Sequence, residues 1–174
     1  MRTNRLNRRR LGFSLMELLI VVAILMIIGA VAVPRINTAL VNAKEMAATR
    51  EIHNLIQAQT QYMSQFGRFA TSLAELGPPP SGQPSPSGAD LVSGEMAKGA
   101  KNGYQFILQG TQQGFTLNAN PVAYPSTGRR TFYADQTGVI RENWAGEPAN
   151  GASQELGAQA TAAGAGAGGG GAKK

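Results

Sequence analysis

The chain has 174 residues, a length that fits one domain, and its 43% hydrophobic content is raised by one long apolar stretch near the N-terminus. It contains no cysteine, so disulfide bonds are excluded. Five of its 16 basic residues are arginines within the first ten positions, and the remaining 11 nearly balance 10 acidic residues. Nucleic-acid binding by a dense basic stripe is therefore not supported, despite the net charge of +6.

A basic leader precedes an apolar segment of membrane length. Apart from one carboxylate, Glu17, the 21 residues from Phe13 to Val33 carry no charge. As a helix this segment measures roughly 31 Å, which matches the hydrocarbon core of a bilayer. Arginines ahead of such a segment hold the N-terminus in the cytoplasm. The sequence therefore predicts a single-pass membrane protein whose remaining residues lie outside the cytoplasm.

The carboxylate of Glu17 needs an explanation, because a charge at mid-membrane costs about 2.5 to 3.5 kcal/mol. Gly12 lies where the leader meets the apolar segment, at a place that a cytoplasmic-side protease could reach. A cut there would leave a new amine on Phe13, four residues from Glu17 and on the same helical face. Two simpler alternatives remain: Glu17 interacts with the positive end of its helix, or the segment is a plain signal anchor.

The segment from Gly12 to Pro34 resembles the N-terminus of type IV prepilins and of the related type II secretion pseudopilins. In that family a prepilin peptidase cuts after the glycine and methylates the new N-terminal phenylalanine. The glutamate is thought to pair with the N-terminal amine of a neighbouring subunit during filament assembly. The resemblance thus assigns processing to Gly12 and Phe13, N-methylation to Phe13, and subunit assembly to Glu17.

The resemblance also implies a function and partners. It implies a structural subunit rather than an enzyme, with no cofactor, which serves a type IV pilus in adhesion, twitching motility or DNA uptake. The alternatives are a pseudopilin of a type II secretion system and a membrane-anchored exported binding domain. The implied partners are other copies of the chain and related pilins, prepilin peptidase, and an inner-membrane assembly platform. The implied location is the inner membrane before assembly, then an extracellular pilus or a periplasmic pseudopilus.

The pattern predicts a helix that continues beyond the membrane segment. Gly29 and Pro34 predict a kink or a locally melted stretch. Residues 35–66 keep an apolar stripe at helical spacing, and Gly67 is a natural stop. Charged residues between the apolar positions are expected on a solvated face, namely Lys44, Glu45, Arg50 and Glu51. The membrane or filament-core part of the helix is therefore 13–34, after a removed leader at 1–12, and the amphipathic part is 35–66.

Residues 67–143 predict a small globular head. Ser72 and Glu75 resemble a capping box for a short helix that ends at Gly77, and a second short helix is expected from Asp90 to Lys98. After a Pro-rich loop at 78–88, two runs joined through 110–114 predict a hairpin, and a turn at 135–138 joins two more strands. The expected fold is α+β, the type IV pilin fold, in which the long kinked helix packs on an antiparallel sheet of three or four strands.

The last part of the chain and two groups of polar residues give weaker signals. Residues 144–174 are rich in Gly and Ala and are predicted to form a disordered tail. Asp135 is a weak candidate for binding a hard cation, although turn chemistry explains it more simply. Lys98, Lys101, Arg129 and Arg130 are basic loop residues that we expect to be solvated rather than to form a patch.

Overall fold

The fold is that of a computed structural model, which describes residues 13–80 and 82–158, the side chains of 31–34 excepted. The chain divides into two compact units, Met1–Ala39 and Leu40–Lys174. The leader at 1–12 and residues 159–174 lie outside the described residues.

One long helix, α1, spans Leu15–Phe66. It ends where the sequence predicts, because Gly67 adopts a φ of 72° and donates its N–H to the Met63 carbonyl oxygen at 2.9 Å. Gly29 and Pro34 both lie within the bounds of α1. The kink or melting at these two residues stays a prediction.

The second unit has the α+β architecture that was predicted. Two one-turn helices follow α1 in the chain, α2 (Leu73–Leu76) and α3 (Gly94–Ala97). A six-stranded antiparallel sheet follows, in which every strand pairs with its neighbour in sequence. Its strands are β1 (Ala100–Lys101), β2 (Tyr104–Gly110), β3 (Phe115–Pro121), β4 (Thr131–Asp135), β5 (Ile140–Asn143) and β6 (Gln154–Glu155).

The four longer strands form the two predicted hairpins. In the first, Gly110 of β2 faces Phe115 of β3 across the turn. In the second, Ala134 of β4 faces Ile140 of β5. The two strands beyond the predicted number, β1 and β6, are two residues each, and so short a strand leaves no periodic pattern in the sequence.

The core lies between one face of α1 and one face of the sheet. On α1 the buried apolar side chains recur every three or four residues and are Ala48, Ile52, Leu55, Ala58 and Tyr62. On the sheet they alternate along each strand and include Tyr104, Phe106, Leu108, Phe115, Leu117, Ala119, Phe132, Ala134 and Ile140. Each element thus shows its own periodicity, and α1 supplies the side of the core against which the sheet packs.

The helix α2 forms without the predicted capping box. Its N-cap residue, Ser72, makes no side-chain cap hydrogen bond. Glu75 instead accepts hydrogen bonds from the N–H and hydroxyl of Thr71, at 3.0 and 2.9 Å, and from Arg68 at 2.9 Å. Glu75 Oε2 therefore joins Arg68 to the N–H of Thr71, the residue just before the N-cap.

The helix α3 is shorter than the predicted Asp90 to Lys98. It begins at Gly94, where the hydroxyl oxygen of Ser93 accepts from the Met96 N–H at 3.3 Å. Asp90 has a φ of 57°, and its N–H is donated to the Gly77 carbonyl oxygen. A left-handed backbone at Asp90 is incompatible with a right-handed helix, so the helix cannot begin there.

The predicted boundary between head and tail at residue 143 is too early. Ala149 is buried, and its carbonyl oxygen accepts from Asn118 Nδ2 at 2.7 Å. The backbone carbonyl oxygen of Glu147 accepts from the Thr131 hydroxyl at 2.6 Å, and β6 pairs with β5. Small residues give no hydrophobic signal, but their backbone groups bind the sheet edge, so the head extends at least to Ala158.

Candidate functional site

The first turn of α1 contains the acidic residue singled out in the sequence. The Ser14 carbonyl oxygen accepts from the N–H groups of Glu17 and Leu18, at 3.0 and 3.2 Å. Glu17 therefore lies in the first turn, at the positive end of the helix dipole. Phe13, the residue expected to carry the new amine, lies just before the helix and is 79% exposed.

Around this turn the helix is apolar and unburied. The large apolar side chains of the described residues 13–30 are between 40% and 80% exposed; they are Phe13, Leu15, Met16, Leu18, Leu19, Ile20, Val21, Val22, Ile24, Leu25, Met26, Ile27 and Ile28. By length and composition α1 is the one helix among the described residues that could cross a membrane. An apolar surface of this extent needs an apolar environment, in lipid or against other chains.

The remaining predicted processing residue, Gly12, lies outside the described residues. Cleavage after Gly12 and methylation of Phe13 therefore stay predictions. What the structure contributes is that Glu17 has exposed surroundings on a helix whose start is two residues after Phe13. A partner chain has access to both residues.

Asp135 takes part in a turn. Its Oδ1 accepts from the backbone N–H and the hydroxyl of Thr137, and its Oδ2 accepts from the Tyr133 hydroxyl. Burial alone would raise the pKa of Asp135, but the Thr137 hydrogen bonds outweigh it and hold the pKa below its usual value. No group of three or more metal-binding side chains occurs among the residues that the structure describes. The carboxylate oxygens of Asp135 thus already serve the turn.

Among the four basic residues that we expected to be solvated, Arg130 is instead paired within the protein. Its Nε donates to Glu45 Oε2 at 2.8 Å and its Nη1 donates to Glu142 Oε2 at 2.9 Å. Lys101 pairs with Glu51 at 2.7 Å. These two cations are therefore committed within the head rather than presented as a patch.

Glu45 was expected on a solvated face of the helix, and this prediction was wrong. The residue is 1% exposed, and its Oε1 also accepts the backbone N–H of Arg129 at 2.7 Å. Burial alone would lower the pKa of Arg130, but its bonds with Glu142 and Glu45 raise it. The partners are separated by more than eighty positions in sequence, so no local pattern could have indicated them.

Comparison with known proteins identifies the N-terminal segment. Residues 7–33 match the family described as the prokaryotic N-terminal methylation motif. A segment of 77 residues is 36% identical to the type IV major pilin protein PilA of Myxococcus xanthus (strain DK1622), and covers 44% of this chain and 35% of that relative. The match thus spans about a third of the relative's length. No solved structure matches significantly.

Proposed function

We propose that this chain is a member of the type IV prepilin family and a structural subunit of a type IV pilus. In this proposal prepilin peptidase cuts after Gly12 and methylates Phe13. The subunit then leaves the inner membrane through an assembly platform and joins copies of itself in a helical filament. Its role is structural rather than enzymatic.

One observation carries the proposal: Glu17 lies in the first turn of α1, and the other large side chains of the described residues 13–30 are apolar and exposed. A lone carboxylate is costly when this surface is covered by lipid or by other helices. The amine created on Phe13 of a neighbouring subunit is a partner of opposite charge. Pairing removes much of the cost, and a subunit docked out of register leaves both charges unpaired.

The exposed apolar surface of residues 13–30 also supports a chain that passes from the bilayer into a filament. Before assembly the bilayer covers it, with the arginine-rich leader in the cytoplasm. After assembly the corresponding helices of other subunits cover it. The unit from Leu40 onward has its own core. In this proposal it lies outside the membrane in both states.

A pilus is preferred to a secretion pseudopilus because the relative matched over 77 residues is a major pilin. The distinguishing measurement is the location of the fibres. Shearing of cells followed by electron microscopy should recover long extracellular filaments that contain this chain. Fibres confined to the periplasm would indicate a secretion pseudopilus instead of a pilus. A protein that never leaves the inner membrane would contradict both assignments.

The assembly role is tested by Glu17→Ala. This variant should be cleaved normally and remain in the membrane, while sheared filaments fall at least tenfold, because the amine loses its partner. The matched control is Glu95→Ala, which removes an exposed glutamate from the first turn of another helix, α3, and should leave filament yield unchanged. Normal filament yield from Glu17→Ala would reject the pairing.

The processing role is tested by replacing Gly12 with a bulky residue. Uncut precursor should accumulate in the membrane, and mass spectrometry of the wild-type filament should show a chain that begins at methylated Phe13. Removal of the leader from the Gly12 variant at the normal rate would contradict the cleavage assignment.

A further inference from the structure

The segment between β5 and β6 forms an open cleft beside the single tryptophan of the chain. Trp144 is 46% exposed and borders a cavity of about 650 Å³. The other lining residues are mostly polar and are Glu142, Asn143, Ala145, Asn150, Ala152, Ser153 and Gln154. Its one aromatic ring and its amide and hydroxyl groups offer a ligand both a stacking surface and hydrogen-bond partners.

The indole of Trp144 is held in place by two neighbours. The guanidinium carbon of Arg130 lies 5.0 Å from the ring centroid, and Arg130 is itself fixed by Glu45 and Glu142. The Tyr124 hydroxyl donates to the Trp144 carbonyl oxygen at 3.2 Å. Because the ring is already positioned, a ligand that stacks on it loses little binding energy to ordering.

Hydrogen-bond donors remain available around the cleft. Asn150 Oδ1 accepts from the Ala152 N–H at 2.9 Å, and Ser153 Oγ accepts from the Asn150 N–H at 3.0 Å. These bonds orient both side chains but use only their acceptor atoms. The side-chain N–H groups of Asn150 and the hydroxyl hydrogen of Ser153 are therefore left for a ligand that offers oxygen acceptors.

The charge around the cleft argues against polyanions. Among the described residues, Glu142 is the one charged residue that lines the cleft, and its carboxylate is paired with Arg130. The described lining therefore offers no unpaired cation to nucleic acids or acidic polysaccharides. The negative face of an indole does attract the weakly positive C–H groups of a sugar ring, and sugar hydroxyls match amide and hydroxyl partners.

We propose that this cleft binds a neutral saccharide, with one hexose ring against Trp144 and its hydroxyl groups hydrogen-bonded to Asn150 and Ser153. The site would add polysaccharide recognition to the head, independently of how the subunit assembles. Its affinity for one short oligosaccharide should be weak, with half-saturation on the order of 1 mM, because one platform and a few hydrogen bonds contribute. Repetition of the subunit along a filament would multiply the attachment to a polysaccharide.

Trp144 is the single tryptophan of the chain, so tryptophan emission reports directly on the cleft. The full chain is held in an amine-oxide detergent, which contains no sugar, and its tryptophan emission is followed during titration with maltohexaose, cellohexaose and chitohexaose. At least one of these probes should give a saturable change in emission, while polygalacturonate and single-stranded DNA should give none. No change with any neutral probe up to 50-fold above the expected half-saturation would overturn the proposal, as would a stronger response to the polyanions.

Variants then test the named residues by calorimetric titration. Trp144→Ala should weaken binding at least tenfold, and Asn150→Ala should weaken it about threefold to tenfold, as one hydrogen bond predicts. The matched control is Ile107→Ala on β2, which removes an apolar side chain of similar exposure, 44%, and should bind as wild type does. Unchanged affinity in Trp144→Ala would overturn the proposal. So would normal saccharide binding combined with loss of filaments in that variant, because the ring would then belong to a contact between subunits.

Discussion

Replacement of Glu45 by alanine tests whether the buried carboxylate ties α1 to the sheet. Glu45 Oε1 accepts the Arg129 backbone N–H at 2.7 Å, and its Oε2 accepts from Arg130 Nε at 2.8 Å. Glu45→Ala removes both bonds and leaves a backbone donor unsatisfied. We therefore expect a large loss in the free energy of unfolding of the head.

The magnitude follows from what Arg130 retains. Breaking a buried ion pair typically costs about 3 to 5 kcal/mol, because a charge is left without compensation. Here Glu142 still neutralises Arg130, whose side chain is 20% exposed, so the lower end of that range applies. The expected cost is about 3 kcal/mol, roughly a hundredfold change in the ratio of folded to unfolded chain. Glu45→Gln keeps an oxygen acceptor and should cost about 1 kcal/mol.

Emission of Trp144 is a suitable assay, because Arg130 lies against its ring. Urea unfolding of the full chain in detergent should place Glu45→Ala well below wild type, with Glu45→Gln between them. The control is Glu51→Ala, which breaks a more exposed pair with Lys101 and should cost less than about 1 kcal/mol. A Glu45→Ala curve that coincides with wild type would refute a stabilising role for the buried carboxylate.

Three further predictions concern the head. Gly110→Ala should markedly lower the melting temperature, because the added Cβ would overlap the Ala70 backbone carbonyl; a wild-type melting curve would contradict this. Burial alone would raise the pKa of Glu75, but its hydrogen bonds leave the pKa below the ordinary 4.5. Its contribution to stability is therefore complete above about pH 4.5 and is lost as the pH falls through the lower folded value. Denaturation at several pH values should thus show less acid sensitivity in Glu75→Gln than in wild type, and equal sensitivity would reject the role. A fragment that begins at Gly67 should be unfolded or aggregated, whereas one that begins near Arg35 should be soluble and folded; circular dichroism checks both, and a cooperative melt of the shorter fragment would be the contrary result.

Several elements were predictable because their signals are local. The helix end at Gly67, the hairpins on either side of 110–114 and 135–138, and the core stripe on α1 each follow from periodicity or turn chemistry over a few residues. The errors have a common cause. The start of α3, the capping of α2 and the order of residues 144–158 depend on hydrogen bonds to parts of the chain that lie far from them or that composition does not distinguish.

The sequence by itself determined the character of the segment from Phe13 to Val33. This segment is a membrane-length apolar stretch with one carboxylate, Glu17, placed four residues after Phe13. That information is local, since length, charge and spacing along one helix suffice to read it. Only the tertiary structure decided that Glu45 is buried against Arg130 and that Trp144 borders a polar cleft. The physical reason is that a charge or an aromatic ring has the same pattern in sequence whether water or a distant strand covers it, and only the folded chain brings that strand into place.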